Sequence, residues 1–417
     1  MNIGKLVKVL IPVLLVSALV IINACAPKAP PGAVIKVGVV ADISGPAAVS
    51  CAPIFQGTTD YFDYVNEELG GIDGVKLEVL WGDSKLDAAT AVTHVTSFIE
   101  EGVVLVCVSN TVDIMGSTAA LEAAKIPAVG IAASKPLFVP PGWYYGCLPE
   151  AGQQFATHLD WYYSEWKKQG LERPMRVAIV SWDHPTGRTV AEGVKRWVEM
   201  QPAGVAELVY EAYPGPTTVD YTADLLGAKA ANPDVIPAGL YGAAFGMILR
   251  DAGKAGLPED VHFLLWTGCF EEGPRELAGP EIERAYASFQ WVTPYEEDKY
   301  EEARIGNYLI QTKRNLPKLT SDYAPGVMAG MIAHEAIKMA LKEVGYENLD
   351  GAAVAEYGFQ RMCDVDLGVG PRINYCEGRR VGPVAFRVTK WNAETEREEV
   401  ISDWVETIPL EVLYPEG

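Results

Sequence analysis

The sequence predicts an α/β protein of two doubly wound parallel-sheet lobes. Short apolar runs rich in β-branched residues alternate with amphipathic helical segments, and the alternation passes through two successive series before its style changes near residue 290. Alternating β and α units imply a parallel sheet with helices on both faces. Right-handed crossovers make each sheet doubly wound, and a chain of 417 residues is long enough for two domains.

In the first series Val34–Val40 reads as a strand followed by the polar turn Ala41–Pro46, and Phe55, Tyr61, Phe62, Val65 and Leu69 mark one face of a helix. Val75–Leu80 is the next strand and Asp87–Glu101 the next helix. Val103–Val108 is apolar throughout, as a strand buried on both faces should be. A helix at Ala119–Ala124 and a strand at Ala128–Ala132 close the series. The second series reads helix Phe155–Lys168, strand Met175–Ser181, helix Arg188–Met200, strand Val205–Tyr213 and helix Thr222–Ala231. Strand Val235–Tyr241, helix Phe245–Ala255 and strand Val261–Thr267 complete it. After a strand at Ala285–Val292 come two longer helices, Glu296–Arg314 and Ser321–Leu341, and then an antiparallel pair, Val384–Thr389 with Glu398–Trp404.

The first 25 residues read as an export leader. Lys5 and Lys8 precede an apolar run, Val9–Ile22, whose 14 residues are too few to span a bilayer. The run ends at Ile22-Asn23-Ala24-Cys25, which looks like a bacterial lipobox with Cys25 as the lipidated residue. Residues 26–33 form a Pro-rich tether. The expected location is therefore extracytoplasmic, lipid-anchored at the membrane.

The chain has 34 basic and 55 acidic residues, a net charge of −21. That balance argues against nucleic acid, which needs clustered Lys and Arg, and against docking on anionic lipid, so the acyl chain must anchor. Besides Cys25 there are six cysteines with no CxxC pair. Cys363 with Cys376 is the best disulfide candidate, with Cys51 and Cys107 as a further pairing.

The residues offer little for catalysis. The five histidines lack paired metal spacing, and there is no GxSxG elbow, no GxxxxGK[ST] loop and no GxGxxG turn. The segment Cys363–Gly368 is a poor match to a calcium loop, lacking the third oxygen ligand and the closing Glu. No enzyme activity, cofactor or metal is expected.

Several motifs stand in a telling order: Val37–Pro46 with its Gly-Pro loop, Gly70–Val79, Asp83-Ser84 with Asp87–Ala91, Ile126-Pro127, Ala132-Ala133-Ser134, and Val381–Phe386. Together they resemble the type I periplasmic binding proteins of ABC transporters, in particular the branched-chain amino acid (leucine/isoleucine/valine) and amide binding family. The resemblance runs from about Val34 to Trp404. It implies lobes joined by a multi-strand hinge, with residues 34–152 and 290–378 in lobe I and residues 153–289 and 379–417 in lobe II. It also implies an extracytoplasmic trap that closes on a solute and hands it to an importer permease. The partners expected are thus a small-molecule solute, the permease and the membrane through Cys25, with the chain a monomer.

By the same resemblance the ligand meets Ser44, Ser109, Ala132, Ala133 and Ser134 of the first lobe, with Cys51 near the mouth, and Thr186, Tyr241 and Thr267 of the second. Trp182 or Phe270 supplies an apolar wall. Asp183 either faces the cleft or caps the following helix. Amino-acid binders of the family carry an acid in the loop after the strand ending here at Thr267, to pair with the ligand's ammonium. Here Glu271 and Glu272 come late, which leaves branched-chain amino acid-like ligands, amides and organic or aromatic acids open. Two other classes also stay open: a ligand-sensing lipoprotein of the same fold coupled to a receptor, and an extracytoplasmic enzyme.

Overall fold

The computed structural model describes residues 29–415. The leader and Cys25 lie outside the described residues, as does the start of the tether, whose Ala29 and Ala33 pack on the first core. Among the described residues no helix is long and apolar enough to cross a membrane.

Two sheets organise the chain. The first is built from β1 (Val34–Ala41), α1 (Ala48–Glu67), β2 (Lys76–Asp83), α2 (Ala88–Glu100), β3 (Val106–Val108), α3 (Thr111–Ala124), β4 (Ala128–Gly130) and β5 (Tyr144–Gly146). Its strand order is β2-β1-β3-β4-β5, all parallel. Val37, Val39 and Val40 of β1 are buried, Val37 and Val39 in one core and Val40 in another on the opposite face. Burying each such side chain stabilises the sheet by about 1.5–3 kcal/mol.

The second sheet follows α4 (Ala151–Lys167) and takes in β6 (Met175–Val180), α5 (Pro185–Met200), β7 (Ala206–Ala212), α6 (Thr222–Ala230) and β8 (Val235–Pro237). It continues through α7 (Ala243–Ala255), β9 (His262–Trp266), α8 (Glu272–Ala278) and β10 (Ala285–Phe289). The chain then returns to the first core as α9 (Glu301–Arg314), α10 (Ala324–Val344) and α11 (Gly351–Ala353). It rejoins the second sheet as β11 (Ala385–Asn392), β12 (Arg397–Val400) and β13 (Val405–Glu406), and ends in α12 (Leu410–Leu413). The order β12-β11-β10-β9-β8-β6-β7 is parallel from β7 to β10 and antiparallel at β11 and β12. The chain thus passes between sheets after β5, after β10 and before β11.

Most differences from the sequence expectations lie at element ends. α3 starts at Thr111 rather than Ala119, because the Asn110 side chain accepts from the Asp113 amide at 2.9 Å and caps the extra turns. α9 starts at Glu301 rather than Glu296, whose carboxylate is taken by Arg387 and by the Thr293 amide. β8 ends at Pro237, so Tyr241 lies beyond the ladder. β5 was not expected, three residues being too short for a readable pattern.

Cys363 and Cys376 are bonded, with Cα atoms 5.2 Å apart at a sequence separation of 13. Cys51 and Cys107 are not paired, contrary to the further pairing above: both are free and buried, and the Cys51 thiol points instead to the Ser109 carbonyl at 3.9 Å. Replacing Cys363 and Cys376 by Ser is expected to lower the unfolding free energy by about 3 kcal/mol, from the loop-closure entropy restored to the unfolded chain. Urea unfolding measures this, and an unchanged midpoint contradicts it.

Candidate ligand-binding cleft

In doubly wound sheets ligands sit beyond the carboxyl ends of the strands. Among the loops leaving those ends are 42–47 after β1, 109–110 after β3, 131–134 after β4, 181–184 after β6, 238–242 after β8 and 267–271 after β9. Loops of the two sheets face one another across a cleft, and Thr186 marks where they meet. Its hydroxyl lies 3.0 Å from the Ser134 hydroxyl and 3.4 Å from that of Thr111. Thr111 begins α3 and Thr186 lies in the first turn of α5, so two helix N-termini converge from opposite lobes. Their dipoles favour an acceptor such as a carboxylate, with the Asp113 and Thr186 amides already taken by the Asn110 and His184 side chains. Beside this contact Lys135 pairs with Glu192 at 2.5 Å, again lobe to lobe.

Ser109, Ala132, Ala133 and Ser134 are all buried at the ends of β3 and β4. The Ser109 hydroxyl has no hydrogen-bond partner among the described residues. Across the cleft the ring of Tyr241 stacks on Trp266, centroids 4.7 Å apart, and leans on Trp182 at 5.8 Å. Tyr241 is 37% exposed, with its hydroxyl directed to Thr186. Burial drives that hydroxyl well above its ordinary pKa, with Thr186 opposing weakly, so it is a neutral donor. The buried Trp266 indole nitrogen and the Thr267 hydroxyl also lack partners among the described residues. Unmatched buried polar atoms carry a cost of about 1–3 kcal/mol each, and a bound solute can meet it.

Other residues stand differently. Ser44 is exposed and donates to Asp83 at 2.5 Å, which commits its hydroxyl to the turn after β1. Phe270 is buried in the second core, 6.4 Å from Trp391, so the wall on the cleft is Tyr241 with Trp266. Asp183 does not cap α5: it is exposed and accepts from Arg188 at 2.9 Å, while His184 occupies the cap position. Trp182 donates from its indole to Tyr221 at 2.9 Å, which fixes the ring beside Tyr241.

The loop after β9 makes a further lobe-to-lobe contact. Glu271 accepts from the Ser321 amide at 2.9 Å, just before α10. A cavity of about 400 Å³ opens beside it, lined among others by Phe270, Glu271, Trp291, Lys318 and Ser321. A second, of about 340 Å³, lies at the start of β1 near Lys36 and Tyr346, at the opposite ends of the strands. Among the described residues no group of His, Cys, Asp or Glu is arranged to hold a metal ion.

A family model described as periplasmic binding protein matches residues 34–395. The chain belongs to the periplasmic binding protein family. A Leu/Ile/Val-binding protein homologue of Brucella melitensis is 24% identical over 259 residues, 61% of this chain and 66% of the relative, just under two thirds of its length. A branched-chain amino acid ABC transporter structure from Thermus thermophilus with bound valine superposes with a TM-score of 0.74 at 19% identity, covering 91% of this chain and 98% of its own. An R. palustris solute binding protein in complex with benzoate gives 0.70 at 16% identity, covering 91% and 98%.

In this periplasmic binding protein two groups at the cleft, Thr111 and Trp266, are not evident from the sequence alone. Thr111 was hidden because the start of α3 was placed too late. Trp266 falls within the expected strand Val261–Thr267, and only the tertiary stack sets it against Tyr241.

Proposed function

We propose that this chain captures a small solute between its two lobes and delivers it to an ABC importer, tethered outside the membrane by a lipid on Cys25. The jaws of the trap are residues 34–152 with 290–378, and residues 153–289 with 379–417. The observation that carries the reading is the convergence of hydroxyls and helix N-termini from both lobes at Thr111, Ser134 and Thr186, beside the Tyr241–Trp266 stack. Closure is a hinge motion, and a solute touching both lobes at once stabilises the closed state. The carboxylate of an amino acid or organic acid fits the helix N-termini, and an apolar or aromatic body fits the stacked rings. The valine- and benzoate-bound relatives support these ligand classes.

A thermal-shift screen of the chain lacking residues 1–25 tests this, with amino acids, amides and carboxylic acids as probes. A ligand at a hundredfold excess over its Kd is expected to add about 2.7 kcal/mol of stability. Tyr241→Ala is expected to weaken binding by about 2 kcal/mol through loss of ring contact. If no probe shifts the melting temperature, the capture reading fails.

A further inference from the structure

We propose that the C-terminal strap, residues 407–414, forms with Lys135 a clamp that biases the two lobes toward closure before any solute is bound. This rests on the capture reading and adds a regulator of the same cleft, because the clamp sets how much of the work of closing is left to the solute.

The strap is fastened to the second lobe along its length. The Thr407 amide donates to the Val384 carbonyl at 2.7 Å, and the Ile408 amide donates to the Thr157 hydroxyl of α4 at 2.9 Å. The Gln153 side chain donates to the Ile408 carbonyl at 2.8 Å. Gln153 is itself set by the cap of α4, where its backbone amide donates to the Glu150 carboxylate at 2.6 Å. The Tyr414 hydroxyl donates to the same carboxylate at 3.3 Å. Leu413 and Tyr414 are buried in the second lobe's core. A Cβ at Gly152 would collide with the Tyr414 hydroxyl, so α4 is shaped to admit the ring. Chain ends are poorly ordered unless tied down, and these bonds tie this one.

What the strap presents to the first lobe gives it a role beyond packing. Lys135 follows Ser134 in the turn after β4, and its ammonium lies 4.1 Å from the centre of the Tyr414 ring. The same ammonium pairs with Glu192 of α5 at 2.5 Å. Tyr414 and Glu192 thus make one acceptor on the second lobe for one cation of the first. Leu410 adds an apolar tie: half-buried, it packs both on the second lobe's core and on the first sheet's core around Val40. None of these residues lies in the three segments that cross between the sheets, so a hinge motion that parts the lobes breaks the contacts and leaves the crossings whole.

The chemistry suits a bias rather than a lock. The Lys135 and Glu192 side chains are 27% and 41% exposed, so their ion pair alone is weak. The ring face adds a second attraction for the same charge. Ser134, the residue before Lys135, meets Thr186 at 3.0 Å, so the clamp and the solute site close together. A solute that selects closed chains is bound more tightly the more of them exist beforehand.

The test needs no solute. Spin labels on cysteines placed at Ala123 of α3 and Met200 of α5, both exposed, report the spacing of the lobes by double electron–electron resonance. The chain lacking residues 1–25 is freed of small molecules by unfolding in urea, dialysis and refolding. Wild type is expected to show a close-spaced population. Lys135→Met should move the close-to-wide ratio about tenfold toward wide, since it removes the ion pair and the ring contact together. Glu192→Gln and Tyr414→Leu should each give a smaller shift, and Lys135→Met with Tyr414→Leu no more than Lys135→Met alone, because the two share one contact. Lys135→Arg keeps the charge and should hold the wild-type ratio. A partly exposed Lys135 leaves the melting temperature of its Met variant near wild type, so the shift is not unfolding. A wild type that is wide-spaced throughout, or a spacing that Lys135→Met leaves unchanged, overturns the clamp. So does an Arg variant that behaves like Met, or a shift that Glu192→Gln and Tyr414→Leu do not share. Because no solute enters the measurement, each of these results leaves the capture reading to its own thermal-shift screen.

Discussion

Arg387→Leu is expected to lower the unfolding free energy by roughly 3–5 kcal/mol, the range for removing one partner of a buried ion pair. Arg387 rises from β11 and meets Glu296 with both prongs, at 2.7 and 2.8 Å. The side chains are 5% and 20% exposed. The guanidinium also donates to the Trp291 carbonyl at 3.2 Å and lies over the Trp404 ring. It therefore ties the second sheet to the segment crossing from β10 to α9, and its loss strands a carboxylate between the lobes.

The acid limb of the stability profile carries a signature of this pair. Burial alone would raise Glu296; the hydrogen bonds from Arg387 and the Thr293 amide outweigh it and hold the carboxyl at about 2 against an ordinary 4.5. A depressed carboxyl stabilises the fold above its ordinary value, and that stabilisation is lost as pH falls from 4.5 toward about 2. The amount is about 3 kcal/mol. In Arg387→Leu that part of the acid loss should vanish. The double variant with Glu296→Gln should recover part of the stability, because no stranded charge remains. Urea unfolding over a pH series measures all three. A loss below about 1 kcal/mol for Arg387→Leu, the scale of an exposed pair, would show that the pair does not bind the segments.

Gly326→Ala is expected to destabilise by about 2 kcal/mol, and Gly326→Val by more. Gly326 lies in the first turn of α10, where a Cβ would stand 2.0 Å from the Ile54 carbonyl oxygen and 2.9 Å from the Thr58 amide nitrogen of α1. Those are backbone atoms of a packed helix, so α1 and α10 must move apart. Thr58 also donates to the Gly326 carbonyl at 3.0 Å, a bond the separation breaks. Alanine's better helix propensity returns only about 1 kcal/mol. Gly273→Ala is the control: it is helical and nothing lies within 4 Å of the point a Cβ would occupy, so its effect should be small. Thermal unfolding of both variants decides the matter, and equal melting temperatures would contradict the close packing of α1 on α10.

The architecture was legible because alternation of apolar runs and amphipathic helices is a local property of the chain. Val34–Val40, Met175–Ser181 and Thr222–Ala231 all lie within a residue or so of their elements. What local pattern could not supply were element ends decided by side chains from elsewhere. Glu296 reads as a helix start until Arg387, 91 residues away in sequence, claims it. Asn110 opens α3 by a capping bond that the apolar pattern does not register.

The site was legible only in halves. Ser109, Ala132, Ala133, Ser134, Thr186 and Tyr241 could be picked out one by one, and the fold brings the Ser134 and Thr186 hydroxyls together at 3.0 Å. The Tyr241–Trp266 stack and the Glu271–Ser321 contact were invisible, since each joins residues from separate elements.

The amino-acid sequence by itself determined the class of the fold, the order of its strands and helices along the chain, and the strand ends from which ligand loops issue. Hydrophobic periodicity is read over a few residues and needs no partner. The tertiary structure alone decided which sheet each late element joins and which polar atoms are left unmatched in the cleft. Those depend on distances between groups far apart in sequence, and pairwise electrostatics and packing exist only once the chain has closed on itself.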